Sequence, residues 1–217
     1  MHLTIANKAY SSWSLRPWIL MRHFAIPFDE TVVRLRQSDT AARLLAVSPA
    51  GKAPVLQDGD IYVWESLAIM EYLAESLPHL AIWPRDKAAR AHARALACEM
   101  HAGFMALRQA CPTNFRRAPG APRQAIGAEA LANVARIEAL IAGSRQRYGA
   151  AGAFLFGEFC AADAMYAPVV NRLYAYDLKV NATTRAYMAA MQALPAWQAW
   201  HKDAAAEPWV IEDYEIA

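Results

Sequence analysis

The hydrophobic pattern of this 217-residue chain changes character near residue 78, and that change limits the folds open to it. Before it, strand and helix signals alternate. Residues 2–6 read as a short strand. Leu15, Trp18, Ile19 and Phe24 recur at helical spacing, which predicts a helix over 14–25 with Ser14 as its N-cap and Pro17 tolerated in its first turn. Residues 31–35 are β-branched and apolar, a second strand, and Asp39 then caps a short helix holding Ala42, Leu44 and Leu45. Segments 54–57 and 61–63 flank Asp58-Gly59, a hairpin signal, and a further helix runs from Ser66 through Leu67, Met70, Tyr72 and Leu73. The order is β-α-β-α-β-β-α.

After residue 78 strand signals nearly vanish. Residues 77–85 contain Pro78 and Pro84 and read as a linker. Leu96, Met100, Phe104 and Leu107 then follow one helical face, Leu131, Val134 and Ile141 a second, and Met165, Val169 and Leu173 a third, with shorter helices near Tyr187 and Ala196. The fold class is therefore α/β followed by all-α: residues 1–78 form an α/β domain, 79–87 a linker and 88–217 a helical domain.

Composition removes several alternatives. Hydrophobic residues make up 56% and net charge is only +2, the opposite of a disordered chain. Cys98, Cys111 and Cys160 are odd in number and lack metal-ligand spacing, so they read as buried hydrophobes, with neither a disulfide framework nor a metal site expected. The N-terminal residues lack a signal-peptide pattern and no apolar run reaches membrane-spanning length, so a cytoplasmic protein without a membrane partner is expected. There are 7 Lys/Arg against 8 Asp/Glu up to residue 80, and 15 against 12 beyond it. Neither part carries a phosphate-binding stripe, so no nucleic-acid partner is expected, and Arg116-Arg117 reads as a solvated helix end.

Three short stretches carry chemistry. Tyr10-Ser11-Ser12-Trp13-Ser14-Leu15-Arg16 places hydroxyls beside the positive end of the first long helix, where an anion is stabilised. Ser14 serves as the cap; Ser11 and Ser12 lie upstream of it. Gly51-Lys52-Ala53-Pro54-Val55-Leu56 opens an apolar strand with a proline, and a cis Ala53–Pro54 bond would present the Val55 main chain to an extended peptide. Trp64-Glu65-Ser66-Leu67 sits at a helix start, where Glu65 accepts from an ammonium and Ser66 donates to a carboxylate. Together these two suit the end group of an α-amino acid.

The order of these motifs resembles the cytosolic glutathione transferase superfamily over essentially the whole chain. The resemblance implies a thioredoxin-like first domain that binds glutathione, a helical domain that supplies the electrophile pocket, and a homodimer. It assigns Pro54 as the cis-proline, Val55 as the paired main chain, Glu65 and Ser66 to the γ-glutamyl end and Lys52 to the glycine end. The stretch around Ser11 is similar to the serine motif of zeta-type and related bacterial enzymes, which makes Ser11 the catalytic serine with Ser12 and Trp13 beside it. Trp13 stands where that motif has cysteine. The arginine that zeta enzymes carry after a helical proline falls at Ala175, with Arg172 about one turn earlier. Asp163 matches a capping box whose first position is Cys160, a poorer cap.

On this reading Ser11 stabilises a glutathione thiolate, which attacks an electrophilic carbon; Ser11 is not itself the nucleophile. Met100, His101, Phe104 and Arg108 are the candidate electrophile contacts, on one long helix. Conjugation is the leading reaction. A glutathione-dependent isomerase of the maleylacetoacetate type or a dehalogenase is the alternative, and a non-enzymatic glutathione-binding protein is a further one.

Overall fold

A computed structural model describes residues 1–122, 124–150 and 152–215. The first part runs β1 (His2–Ala6), α1 (Ser12–His23), β2 (Asp29–Val33), α2 (Thr40–Leu45), β3 (Val55–Asp58), β4 (Ile61–Trp64) and α3 (Ser66–Ser76). The element order is the one expected from the sequence. The sheet order is β2-β1-β3-β4, with β1 parallel to β2 and antiparallel to β3. β3 and β4 form the hairpin, Asp58 opposite Ile61, and Gly59 takes φ +58° in its loop, a left-handed conformation open to glycine without side-chain strain.

Among the described residues six α-helices follow: α4 (Lys87–Ala102), α5 (Met105–Ala110), α6 (Ala128–Tyr148), α7 (Ala161–Ala175), α8 (Ala182–Gln192) and α9 (Pro195–Ala206). Every residue of α7 except Tyr174 is buried, as its apolar circumference requires, and it packs against both α1 and α4. Its first turn is held by Asp163, whose carboxylate accepts from the Cys160 and Leu155 amides at 2.9 and 3.0 Å.

Several local expectations are corrected. α1 begins at Ser12, because Ser11 rather than Ser14 is its N-cap. β2 starts two residues earlier than its β-branched run, drawn out by pairing with β1. Asp39 makes no capping bond; the Thr40 hydroxyl accepts from the Gln37 amide and donates to the Arg34 carbonyl instead. The helix expected to run through Leu96 and Leu107 is two helices. At Gly103 a Cβ would lie 2.9 Å from the Glu99 carbonyl, and Phe104 turns the chain with φ +63°. Arg116 and Arg117 do not decorate a helix end. They donate to the Glu207 and Ala175 carbonyls respectively, tying the 111–121 loop to later segments.

The two halves meet around residues 7–9. The Glu207 carboxylate accepts from the Lys8 amide at 2.7 Å and the Ala9 amide at 3.0 Å, and the Ala9 carbonyl accepts from the Phe115 amide at 2.9 Å. The buried Lys8 ammonium bridges Glu30 at 2.6 Å and Asp203 at 2.7 Å. It also lies over the rings of Trp18 and Trp200, which meet edge-to-face at 5.1 Å. Removing the Glu207 carboxylate leaves two buried amides without acceptors. Glu207→Ala is therefore expected to cost about 2–4 kcal/mol in urea unfolding, and Glu207→Gln less, because its amide oxygen still accepts one bond.

Candidate functional site

The turn between β1 and α1 is built from its main chain inward. The Asn7 carbonyl accepts from the Tyr10 and Ser11 amides, and the Asn7 side chain accepts from the Leu35 amide at 2.8 Å. Ser11 then caps α1: its Oγ accepts from the Ser14 amide at 3.2 Å and pairs with the Ser14 hydroxyl at 2.8 Å. Ser14 Oγ also accepts from the Ala6 amide at 3.0 Å, fixing the end of β1 to the start of α1. Ser12, the first residue of α1, has no hydrogen-bond partner for its hydroxyl among the described residues.

Two further segments converge on this turn. The Ala53–Pro54 peptide is cis, and it opens β3. Val55 is buried within the sheet, paired in register with Thr4 and Trp64, so Ala53 and Pro54 rather than Val55 form the cavity wall. Glu65 precedes α3 with φ +69°, a strained conformation for a residue with a side chain, of a kind that costs about 1–3 kcal/mol. The strain turns Glu65 toward the cavity while Ser66 starts the helix.

The first cavity, about 360 Å³, is lined by Trp13, Lys52, Ala53, Pro54, Trp64, Glu65, Ser66 and His101. Its lining holds one acid and one base, Glu65 beside Ser66 at the start of α3 and Lys52 from the segment before β3. The second cavity, about 440 Å³, shares Trp13, Lys52 and Ala53 with the first. Beyond them it is bordered by Ser11, Ser12, Met105, Arg108, Thr113, Arg172 and Tyr214, among others. The serines therefore border the second cavity, immediately before Trp13, which both cavities share.

Trp13 is the partition. Its ring centroid lies 4.2 Å from the Arg16 guanidinium carbon and 5.1 Å from that of Arg108, and its edge meets His101 at 5.1 Å. Arg16 is fully buried. Its Nη1 donates to Ser66 Oγ at 3.5 Å, while Nε and Nη2 have no partner among the described residues. Burial, then the charges of Arg108 and Arg172, holds its pKa well below the usual range, opposed by Glu65. Burial, with Arg16 and Arg108, also lowers the pKa of His101, opposed by Glu65 at 3.6 Å.

The structure brings together Trp13, Lys52, Pro54, Glu65 and Ser66 around one cavity, and Ser11, Ser12 and Arg108 around the next. It separates the four residues expected to meet an electrophile. His101 belongs to the first cavity, because α4 ends one residue beyond it. Met100 and Phe104 are buried core and border neither cavity. Only Arg108 borders the second. Sequence reasoning missed Trp64, Thr113 and Tyr214 as wall residues and left Arg172 unassigned. Trp64 had a signal, its place beside Glu65; Thr113 and Tyr214 had none. No group of three or more His, Cys, Asp or Glu side chains among the described residues is placed to hold a metal ion.

Residues 10–76 match the family model of the glutathione S-transferase N-terminal domain. A probable maleylacetoacetate isomerase of Caenorhabditis elegans is 33% identical over 97 residues, which is 44% of this chain and 44% of that protein. The chain thus aligns with less than half the length of the curated relatives it matches. Over nearly its whole length it superposes on solved structures. One is a maleyl pyruvate isomerase, a bacterial zeta-class glutathione S-transferase, with TM-score 0.72, 25% identity, and 96% of this chain and 99% of that one covered. Another is a Burkholderia glutathione transferase homologue with bound glutathione, with TM-score 0.70, 24% identity, and 94% and 97% covered. Residues 10–76 are thus similar to the glutathione S-transferase N-terminal domain, and nearly the whole chain shares the fold of solved glutathione transferases.

Proposed function

We propose that the protein is a glutathione transferase that stabilises the glutathione thiolate with Ser11 and joins it to a small electrophile. The observation that carries this reading is that two cavities share Trp13, with Glu65, Ser66 and Lys52 lining the first and the serines of a helix start lining the second. Glu65 accepts from the γ-glutamyl ammonium, Ser66 and the amides of α3 donate to the α-carboxylate, and Lys52 pairs with the glycine carboxylate. The tripeptide lies along Ala53 and Pro54, and its sulfur points to the serines.

A free thiol has a pKa of about 8.5 and is mostly protonated at pH 7. Three features favour the anion: the amide end of α1, the buried Arg16 charge and a hydroxyl donor. Ser11 becomes that donor when its bond with Ser14 reverses. Ser14 then donates to Ser11 while still accepting from Ala6, and the Ser11 proton turns to the sulfur. The thiol proton leaves to solvent, the sulfur electron pair forms the C–S bond, and a leaving group departs with its own pair. Where the acceptor is an alkene conjugated to a carbonyl, addition and later loss of the same thiolate isomerises it. The isomerase or dehalogenase reading therefore uses the same residues. The fold's two-part arrangement supports a domain boundary within 79–87, and the family likeness supports a homodimer acting in the cytoplasm. Glutathione retained on the protein without turnover of any electrophile favours the non-enzymatic binding reading.

Ser11→Ala is expected to lower kcat/KM toward a generic aromatic halide about 10²-fold, the scale for losing one aimed donor. It should also raise the pKa of the bound thiol, read from thiolate ultraviolet absorbance. The lost cap adds about 1 kcal/mol of destabilisation. An unchanged titration in Ser11→Ala with a shifted one in Ser12→Ala transfers the role to Ser12. Glu65→Gln should raise the KM for glutathione about 10–100-fold with a smaller effect on kcat, because a charge-assisted bond is lost in binding. Glu65→Gly should weaken glutathione binding likewise while raising thermal stability by about 1 kcal/mol, as the strained backbone relaxes.

A further inference from the structure

Arg16 carries a charge into the interior with almost nothing to pair it. It is 0% exposed, three residues after Trp13 on α1, and its one hydrogen bond among the described residues goes to a hydroxyl, Ser66 Oγ at 3.5 Å. No carboxylate accepts from it there, and Nε and Nη2 are without partners. Burial first, then Arg108 from α5 and Arg172 from α7, presses its pKa well below the usual arginine range, and Glu65 ahead of α3 opposes them. A guanidinium keeps its proton in proteins, so this charge has to be held rather than neutralised. The group that meets it is Trp13, whose ring centroid lies 4.2 Å from the guanidinium carbon. Residues three apart on a helix share a face, and an aromatic ring attracts a cation most strongly where both are out of water. The same indole lies 5.1 Å from the Arg108 guanidinium carbon and meets the His101 ring with its edge at 5.1 Å. Arg108 has other support, because it donates to the Gly103 and Met100 carbonyls. Arg16 has only Trp13 and one long bond.

A residue that only fills space needs no aromatic face. The zeta-type serine motif has cysteine at this place, a side chain too small to cover a guanidinium, so the indole is a departure of this chain. Arg16 borders neither of the two cavities, whereas Trp13 borders both. On α1 Arg16 lies one turn beyond Ser12, behind the serines that face the second cavity. We propose that Trp13 is a positioning residue: its indole holds the Arg16 guanidinium in place behind the serine turn, and through that charge it favours the thiolate of bound glutathione. The proposal rests on the transferase reading and deepens it by naming what keeps the stabilising cation buried. Without the aromatic face nothing offsets the cost of holding an unpaired guanidinium out of water. The side chain then moves toward solvent, and its field at the sulfur falls.

The test is the ultraviolet titration of the glutathione thiolate bound to the full chain, in the wild type and in variants at Trp13. Trp13→Leu keeps apolar bulk without the face, and Trp13→Phe keeps a face. Trp13→Leu is expected to raise the pKa of the bound thiol by about one unit, a tenfold loss of thiolate at pH values below it. Trp13→Phe should recover more than half of that shift. An unchanged titration in Trp13→Leu overturns the proposal. So does an equal shift in Trp13→Leu and Trp13→Phe, which marks lost bulk rather than a lost face. If Trp13→Leu does not fold, Trp13→Cys takes its place with the same expectations. If the wild type binds no glutathione, the transferase reading falls, and the hold of Trp13 on Arg16 is read from urea unfolding of Trp13→Leu, Arg16→Met and the double variant. Coupling of about 30-fold in the folding equilibrium, the scale of a desolvated cation–π contact, then supports that hold. Additive effects of the two substitutions overturn it.

Discussion

The grip of one carboxylate on two amides underlies the rest of the molecule. Glu207, at the end of α9, holds the Lys8 and Ala9 main chain, and the Phe115 amide holds the Ala9 carbonyl. The β1–α1 turn is thereby fixed from the helical side of the molecule before any of its side chains acts. Ser11, Ser12 and Trp13 follow within four residues, so the placement of the reactive end of the site depends on a residue almost 200 positions away. Lys8 strengthens the same joint by bridging Glu30 and Asp203 across the packed Trp18 and Trp200 rings. The turn is thereby tied down through both its main chain and its side chains, the kind of rigid support that positioning a reacting group requires.

Trp13 organises the charge. It separates two cavities, stacks on Arg16 and Arg108, and meets His101 with its edge. The aromatic faces lower the cost of burying guanidinium groups that repel one another. That is a physical reason for an indole where the zeta-type motif has a thiol: a cysteine side chain offers neither face. The first cavity balances its charges with Glu65 and Lys52, whereas the second does not, and this asymmetry is what distinguishes the two as sites.

Much of this was legible in the primary structure, because its signals are local. The βαβαββα order follows from periodicities of two and 3.6 residues and from turn residues such as Gly59. Lys52, Pro54, Glu65 and Ser66, which line the first cavity, sit in two short contiguous motifs. The misreadings have local causes too. Ser11 and Ser14 exchange roles because either hydroxyl suits a cap, and the tie from Ser14 to the Ala6 amide depends on where β1 ends. The apolar spacing from Leu96 to Leu107 is helical throughout, yet Gly103 and Phe104 break it, and periodicity alone does not register a left-handed residue.

What the sequence by itself determined is the set of elements, the order of the motifs and the chemical class of the first cavity, since each depends on neighbours within a few residues. What only the tertiary structure decided is which distant groups share a space. His101 left the expected electrophile wall for the first cavity, and Met100 and Phe104 went to the core. Arg172 and Thr113, 59 positions apart in the chain, came to border one cavity with Arg108. Their meeting depends on the packing angle of α7 against α1 and α4, a quantity that no run of residues encodes locally.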